Sequence, residues 1–292
     1  MLIAGPTASG KSTAALSLAG EAARHGRAAW IVNADSMQVY EGLRVLTARP
    51  DKADEARAPH RLYGHVPAGM RYSAGAWLRD MAELLSAAQA AEALPIVIGG
   101  TGLYFTALTE GLAAVPAVPA ALQNRWSDRL AEEGAARLHA LLAERDPETA
   151  SAVRPADAQR IQRALGVLEA TGIPLAEWRR TRNAAPLIRI EDAARFVMEP
   201  DRAVLYRRID ERVERMVAGG AAEEVRRLLA RGLDESLPAM KAIGVAAFAA
   251  HLRGEASLAE AVERTARDSR RYAKRQLTWF RHQMPGWQSV TA

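Results

Sequence analysis

The chain has 292 residues, 49% of them hydrophobic and 25% charged, with a net charge of +5 and no cysteine. That composition suits a soluble globular protein with one large domain or a core carrying an insertion, and it excludes disulfide scaffolds and thiolate metal centres. No apolar run reaches the about 18 residues of a membrane span, and the first residues lack the basic and apolar regions of a signal peptide, so a cytoplasmic setting is expected.

Leu2-Ile3-Ala4 reads as a short buried strand and Thr13 to Ala23 as a helix. Between them Gly5-Pro6-Thr7-Ala8-Ser9-Gly10-Lys11-Ser12 fits G-x-x-x-x-G-K-[ST] at every fixed position. The two glycines let successive backbone N–H groups converge on an anion. Lys11 adds a point charge, Ser12 offers a hydroxyl to Mg²⁺, and the helix beginning near Lys11 turns its positive end to the same place. The loop therefore grips a phosphate or diphosphate without saying whose.

A second strand around Trp30-Ile31-Val32 runs into Ala34-Asp35-Ser36-Met37-Gln38-Val39-Tyr40. Asp35 stands just past a strand's carboxyl end, where parallel α/β sheets place their chemistry; a turn or helix-cap role fits the same position. Leu62 to Val66 is expected as a third strand, Ser73 to Glu92 as a long helix and Pro95 to Ile98 as a buried parallel strand. This last run ends in Gly99-Gly100-Thr101-Gly102-Leu103-Tyr104, a candidate second wall of the phosphate site.

Val115-Pro116-Ala117-Val118-Pro119 then acts as a hinge. Ala120 to Arg182 has helical periodicity, broken at Gly134, Pro147, Pro155 and Gly172-Ile173-Pro174. Within it Asp157 is placed to cap a helix carrying Gln159 to Arg163. Ile161, Leu165 and Leu168 share one face of that helix, with Arg160 and Arg163 on another. Arg195 to Glu199 is expected to return to the sheet. Asp201 to Ala218 follows as a helix with Arg207, Arg208 and Arg212, and the last long helix spans about Ser257 to Arg281. On that helix Ala266, Ala273, Leu277 and Phe280 form the apolar stripe, opposite Arg264, Arg267, Arg271, Lys274 and Arg275, a footprint for a polyanion. No strong apolar strand ends in an Asp suited to hold the Mg²⁺ of an ATPase.

The phosphate loop, Asp35 to Tyr40, Gly99 to Tyr104 and Ala273-Lys274-Arg275-Gln276-Leu277-Thr278-Trp279-Phe280-Arg281, in this order, resemble the bacterial tRNA dimethylallyltransferases (tRNA isopentenyltransferases) over nearly the whole chain. The resemblance implies an α/β fold. A P-loop NTPase-like parallel-sheet core would begin over 1–114, an all-helical insertion would span 115–185, and 186–292 would return to the core and end in basic helices. It implies transfer of a dimethylallyl group from dimethylallyl diphosphate to the exocyclic amine of the adenosine 3′ of the tRNA anticodon. Pyrophosphate would leave, with the adenosine flipped into the protein.

Carried over, Asp35 is the general base, and Gly5, Pro6, Thr7, Ala8, Ser9, Gly10, Lys11 and Ser12 are the diphosphate cradle. Thr7 and Lys11 act on the leaving group, and Ser12 stands near Mg²⁺. Arg208 matches an arginine that neutralises pyrophosphate, with Arg212 as the alternative. The tRNA-contacting residues are Asp35, Ser36, Met37, Gln38, Thr101, Gln123, Gln159, Arg160, Ile161, Gln162, Arg163, Lys274 and Arg275, on the anticodon stem-loop of a tRNA bound by a monomer. The chain departs from the pattern at Leu46, where Gly is common, and at Val245, where Tyr is usual. The first strand is also short for the family, so the native start is expected upstream. The competing readings are a P-loop kinase of a small molecule, an isopentenyltransferase of free adenine nucleotides, and a non-catalytic RNA-binding protein.

Overall fold

The computed structural model describes residues 1–180 and 185–291. The end of the expected helical insertion, 181–184, and residue 292 lie outside the described residues. Two compact units result, one formed by 1–109 with 187–292 and the other by 110–186.

The first unit is built on a parallel sheet. Its strands are β1 (Leu2–Ala4), β2 (Ala29–Asn33), β3 (His60–Arg61), β4 (Leu94–Gly99), β5 (Arg195–Met198) and β6 (Gln288–Val290), in the order β3-β2-β4-β1-β5-β6. Every pairing among them is parallel. The central strands are apolar on both faces, as a sheet covered on two sides demands. Ile3, Ile31, Ile96 and Ile98 pack with Ala15, Leu16 and Ala19 of α1 (Lys11–Arg24). Leu2, Ala4, Val32 and Val97 face the other way, toward Trp77 and Met81 of α3 (Ala74–Ala90) and Tyr104 and Phe105 of α4 (Gly102–Glu110), with α2 (Lys52–Arg57) lying earlier in the chain. Phe280 of the final helix joins this second layer.

Two strands differ from expectation. The third strand is His60–Arg61 rather than Leu62 to Val66, because Leu62 turns to φ 60° and leaves the ladder. Val66 instead makes an isolated parallel bridge with Tyr40. The sixth strand was not expected: Gln288–Val290 pairs with Phe196 to Met198.

The second unit is helical, with α5 (Ala120–Arg145), α6 (Pro147–Ser151), α7 (Ala158–Thr171) and α8 (Leu175–Arg180). The expected breaks are real. Gly134 kinks α5 at φ 79°, Pro147 opens α6, and Gly172 closes α7 in the left-handed region. Asp157 caps α7, accepting from Arg160 N–H. Trp126, Leu138, Leu142, Ile161 and Leu165 form this unit's core.

Returning to the first unit, α9 (Arg202–Ala218), α10 (Ala221–Leu229), α11 (Val245–Leu252) and α12 (Leu258–Gln283) follow β5. Asp201 caps α9, and Ser257 with Glu260 forms a reciprocal capping box at the start of α12, worth about 1 kcal/mol. Leu205 and Ile209 of α9 pack on Ala273 of α12, with Ala8 of the phosphate loop against the same cluster. No helix among the described residues is long and apolar enough to cross a membrane.

Candidate active site

The neighbouring strands β2, β4 and β1 deliver three loops to one edge of the sheet. These are the Asp35 loop, the Gly99–Gly100 loop and the phosphate loop. Their closeness depends on Gly99, where a Cβ would lie 2.0 Å from the carbonyl oxygen of Ala34. Thr101 accepts from Ser36 N–H at 2.9 Å and donates to the Ser36 hydroxyl at 3.2 Å, tying the second loop to the first.

Asp35 is held from behind. The fully buried Asn33 accepts from Asp35 N–H at 2.9 Å and donates to the Asp35 and Leu62 carbonyls at 2.9 and 3.0 Å. One Asp35 carboxylate oxygen accepts from Met37 N–H at 2.9 Å, the turn geometry foreseen as the alternative for this position. Asp35 nevertheless lines a cavity, so the two roles coexist. Polar Thr7, Arg212 and Tyr272 share that wall with it, and Met37, Leu46, Ile209, Val213 and Met216 supply apolar surface.

The phosphate loop has the expected shape. Gly10 adopts φ 91° at the N-cap of α1, leaving the first turn of the helix open to an anion. The Lys11 ammonium lies under the loop, donating to Gly5 and Pro6 carbonyls at 2.8 and 2.6 Å and to Ser9 Oγ at 3.4 Å. The residue as a whole is only partly covered, but its charged end is enclosed. Burial pulls its pKa down to about 7, with Asp35 opposing the shift and Arg212 adding to it.

Arg212 is the residue that closes the site. Its Nη1 donates to Thr7 Oγ1 at 2.8 Å and its Nη2 to Thr47 O at 3.0 Å, while its Nε is buried without a protein partner. Burial lowers its pKa to about 10, Asp35 holding it up and Arg215 pressing it down, so it stays cationic at neutral pH. It also borders a second, more open pocket with Ala8, Gly10, Arg208 and Arg215. Of the two arginines left open by the sequence, Arg212 touches Thr7 and Arg208 stands on this second cavity.

The basic helix reaches the same place from its other side. Gln276 of α12 accepts from Thr7 N–H at 3.0 Å and donates to Gly100 O at 2.8 Å. Tyr272 lines the same cavity, and burial raises its phenol pKa, with Thr101 and Gln276 pulling the other way. Arg264, Arg267, Arg271, Lys274 and Arg275 are exposed, as expected of a solvent-facing stripe. Arg270 is committed elsewhere, to Asp210 and Glu263. Arg275 also lies over the Tyr272 ring at 5.5 Å.

In the helical unit, Gln159, Arg160 and Arg163 are exposed, and Gln162 donates to Gln123 O at 3.1 Å. Ile161, expected among the tRNA-contacting residues, is 0% exposed, and its side chain packs in this unit's core. The two departures from the family pattern are neighbours in one core. Val245 is buried there, and Leu46 fills the space over Gly244, where a Cβ would meet Leu46 Cδ2 at 2.7 Å. Leu46 also lines the Asp35 cavity. Sequence reasoning passed over Asn33, Tyr272 and Gln276. Asn33 carried the one available signal, a polar residue ending an apolar strand.

Fold and site together define a P-loop α/β protein whose anion cradle faces a carboxylate across a partly apolar cavity. Residues 38–283 match the family model described as IPP transferase. The chain is 53% identical over 290 residues to a tRNA dimethylallyltransferase of Chelativorans sp., covering 99% of this chain and 97% of that one. It is 54% identical to one from Nitrobacter hamburgensis, covering 98% and 88%. The solved full-length tRNA isopentenylpyrophosphate transferase of Bacillus halodurans is 30% identical with a TM-score of 0.67, over 99% of this chain and 88% of that one. A eukaryotic dimethylallyltransferase solved acting on tRNA shares the fold at a TM-score of 0.80 and 24% identity, over 99% and 73%. The chain belongs to the IPP transferase family.

Proposed function

We propose that this protein transfers a dimethylallyl group from dimethylallyl diphosphate to the exocyclic amine of the adenosine 3′ of the anticodon in tRNA. The observation that carries the reading is the meeting of Asp35, Thr7 and Arg212 on one cavity wall, directly beside the phosphate loop. The loop N–H groups, Lys11 and Arg212 suit a diphosphate, and the apolar wall suits a hydrocarbon or a base.

In the transfer, the adenosine nitrogen forms a bond to the allylic carbon as that carbon's bond to the diphosphate oxygen breaks. The amine proton passes to Asp35, because bond formation makes the nitrogen acidic and a carboxylate within reach can accept from it. Pyrophosphate carries away the electron pair. Thr7 Oγ accepts from Arg212, which leaves the Thr7 hydroxyl proton to donate to the departing oxygen. The cavity's apolar wall limits water's access to the allylic carbon, suppressing hydrolysis.

Among the described residues no cluster of His, Asp or Glu is built to hold a metal by itself. The exposed Ser12 hydroxyl at the start of α1 suits Mg²⁺ that arrives on its diphosphate and keeps most of its water. There the ion would neutralise charge on the leaving group. A kinase reading has less support: β4, beside β1, ends in Gly99 instead of a carboxylate for a nucleotide's magnesium.

The basic stripe of α12 and the exposed arginines of α7 favour tRNA over a free nucleotide as acceptor. We take the protein to act as a monomer in the cytoplasm. The test is to incubate it with labelled dimethylallyl diphosphate and either unmodified tRNA or AMP. Label should enter tRNA; label entering AMP alone contradicts the reading.

A further inference from the structure

Glu224 of α10 lies outside the cavity and is 4% exposed. Its carboxylate accepts from three successive backbone N–H groups: Arg44 and Val45 at 2.8 Å on one oxygen, and Leu46 at 2.9 Å on the other. These groups open a tight turn, closed by Ala48 N–H to Val45 O and Arg49 N–H to Arg44 O, both 3.0 Å. Three converging N–H groups form an anion nest, and a buried carboxylate filling it fixes the turn in place. The far end of that turn presents Thr47 O, which accepts from Arg212 Nη2 at 3.0 Å and from Gln38 Nε2 at 2.9 Å.

We propose that Glu224 is a positioning residue for the transfer, acting through the 44–47 turn to aim the Arg212 guanidinium at Thr7 and the leaving diphosphate. The turn is gripped at its N–H end by an anion and at its carbonyl end by a cation. Arg212 has two anchors for its fork, Thr47 O and Thr7 Oγ1, and only the first is backbone whose position another residue sets. Loss of the Glu224 grip lets Thr47 O move, and the fork then rotates away from Thr7. Leu46 on the cavity wall moves with the same turn.

This rests on the proposed transfer, but its first readout does not need transfer. In Glu224→Gln the volume is kept, yet the amide N–H groups must oppose at least one backbone N–H. Calorimetry with inorganic pyrophosphate on the full chain should show affinity several-fold weaker than wild type, and single-turnover transfer at saturating tRNA should fall about tenfold. tRNA affinity should stay within about twofold. The same pair of measurements is made on Arg212→Ala and on the double variant. If Glu224 works through Arg212, adding Glu224→Gln to Arg212→Ala costs less than about a further twofold in either readout, because the two act as one unit. A full multiplicative loss in the double variant, or wild-type pyrophosphate affinity in Glu224→Gln, overturns the proposal. Should Glu224→Gln fold poorly, Glu224→Asp takes its place in the same cycle. It keeps the charge but is one methylene too short to hold all three N–H groups, so the same results support or overturn the role of Glu224. Absence of any product from wild type would count against the transfer reading alone, since the pyrophosphate cycle still decides the role of Glu224.

Discussion

Arg212 donates to the Thr7 hydroxyl at 2.8 Å across 205 positions of chain. The contact makes the hydroxyl oxygen an acceptor, and in the proposed transfer it would leave the hydroxyl proton for the departing oxygen and set a positive charge beside the pyrophosphate. Arg212→Lys keeps the charge but cannot span both Thr7 Oγ1 and Thr47 O. The single-turnover rate should fall by about 10²–10³ with tRNA affinity unchanged. Rapid-quench kinetics beside a tRNA binding curve measures both, and a wild-type rate in the lysine variant would remove Arg212 from leaving-group stabilisation.

Lys11 carries a signature in the pH dependence of stability. Its folded pKa of about 7 lies below the ordinary value of 10.5 because burial disfavours the charge. Between those values the unfolded chain binds more protons than the folded one, so this group makes stability rise with pH across the window, and below it the full penalty applies. Lys11→Met should therefore be more stable than wild type by up to a few kcal/mol near pH 6, the advantage shrinking toward pH 10. Urea midpoints along a pH series check this; parallel curves for the two proteins would contradict it.

Gly102 opens α4 directly beneath α12. A Cβ there would lie 2.1 Å from ring atoms of Trp279. Alanine would ordinarily favour a helix by up to about 1 kcal/mol, but pressing on a packed ring costs about 1–3 kcal/mol, so the clash wins. Gly102→Ala should lower the melting temperature and loosen the Gln276 bridge to Thr7. Calorimetric melting decides the sign.

The basic stripe on α12 should supply affinity without setting the rate. Lys274 and Arg275 are exposed, and Ala273 and Phe280 anchor the opposite face. Lys274→Ala with Arg275→Ala should weaken tRNA binding and reduce its salt slope by up to about two. The rate at saturating tRNA should change little. A salt series of binding curves tests it, and an unchanged slope would make the stripe a solvated face.

How much of this was legible in the sequence follows from range. The phosphate loop, the Asp35 loop and the Gly99 loop are local patterns at strand ends, and the sheet brings them together as their spacing implied. The capping of α7 by Asp157 and the breaks at Gly134 and Gly172 were legible for the same reason. The third strand was misplaced because nothing in the sequence marks Leu62 as left-handed. The sixth was missed because Gln288–Val290 is short and mostly exposed. The partnerships of Arg212 with Thr7, of Gln276 with Thr7 and of Glu224 with the 44–46 N–H groups join residues more than 170 positions apart, where no spacing rule applies.

The central claim is that Asp35 takes the proton from the attacking amine while the loop and Arg212 hold the diphosphate. Its most direct measurement is the single-turnover rate of Asp35→Ala with saturating tRNA and dimethylallyl diphosphate, read beside tRNA affinity. The account predicts a fall of about 10²–10⁴ in rate with tRNA still bound. An Asp35→Ala protein that transfers the group at the wild-type rate would contradict it.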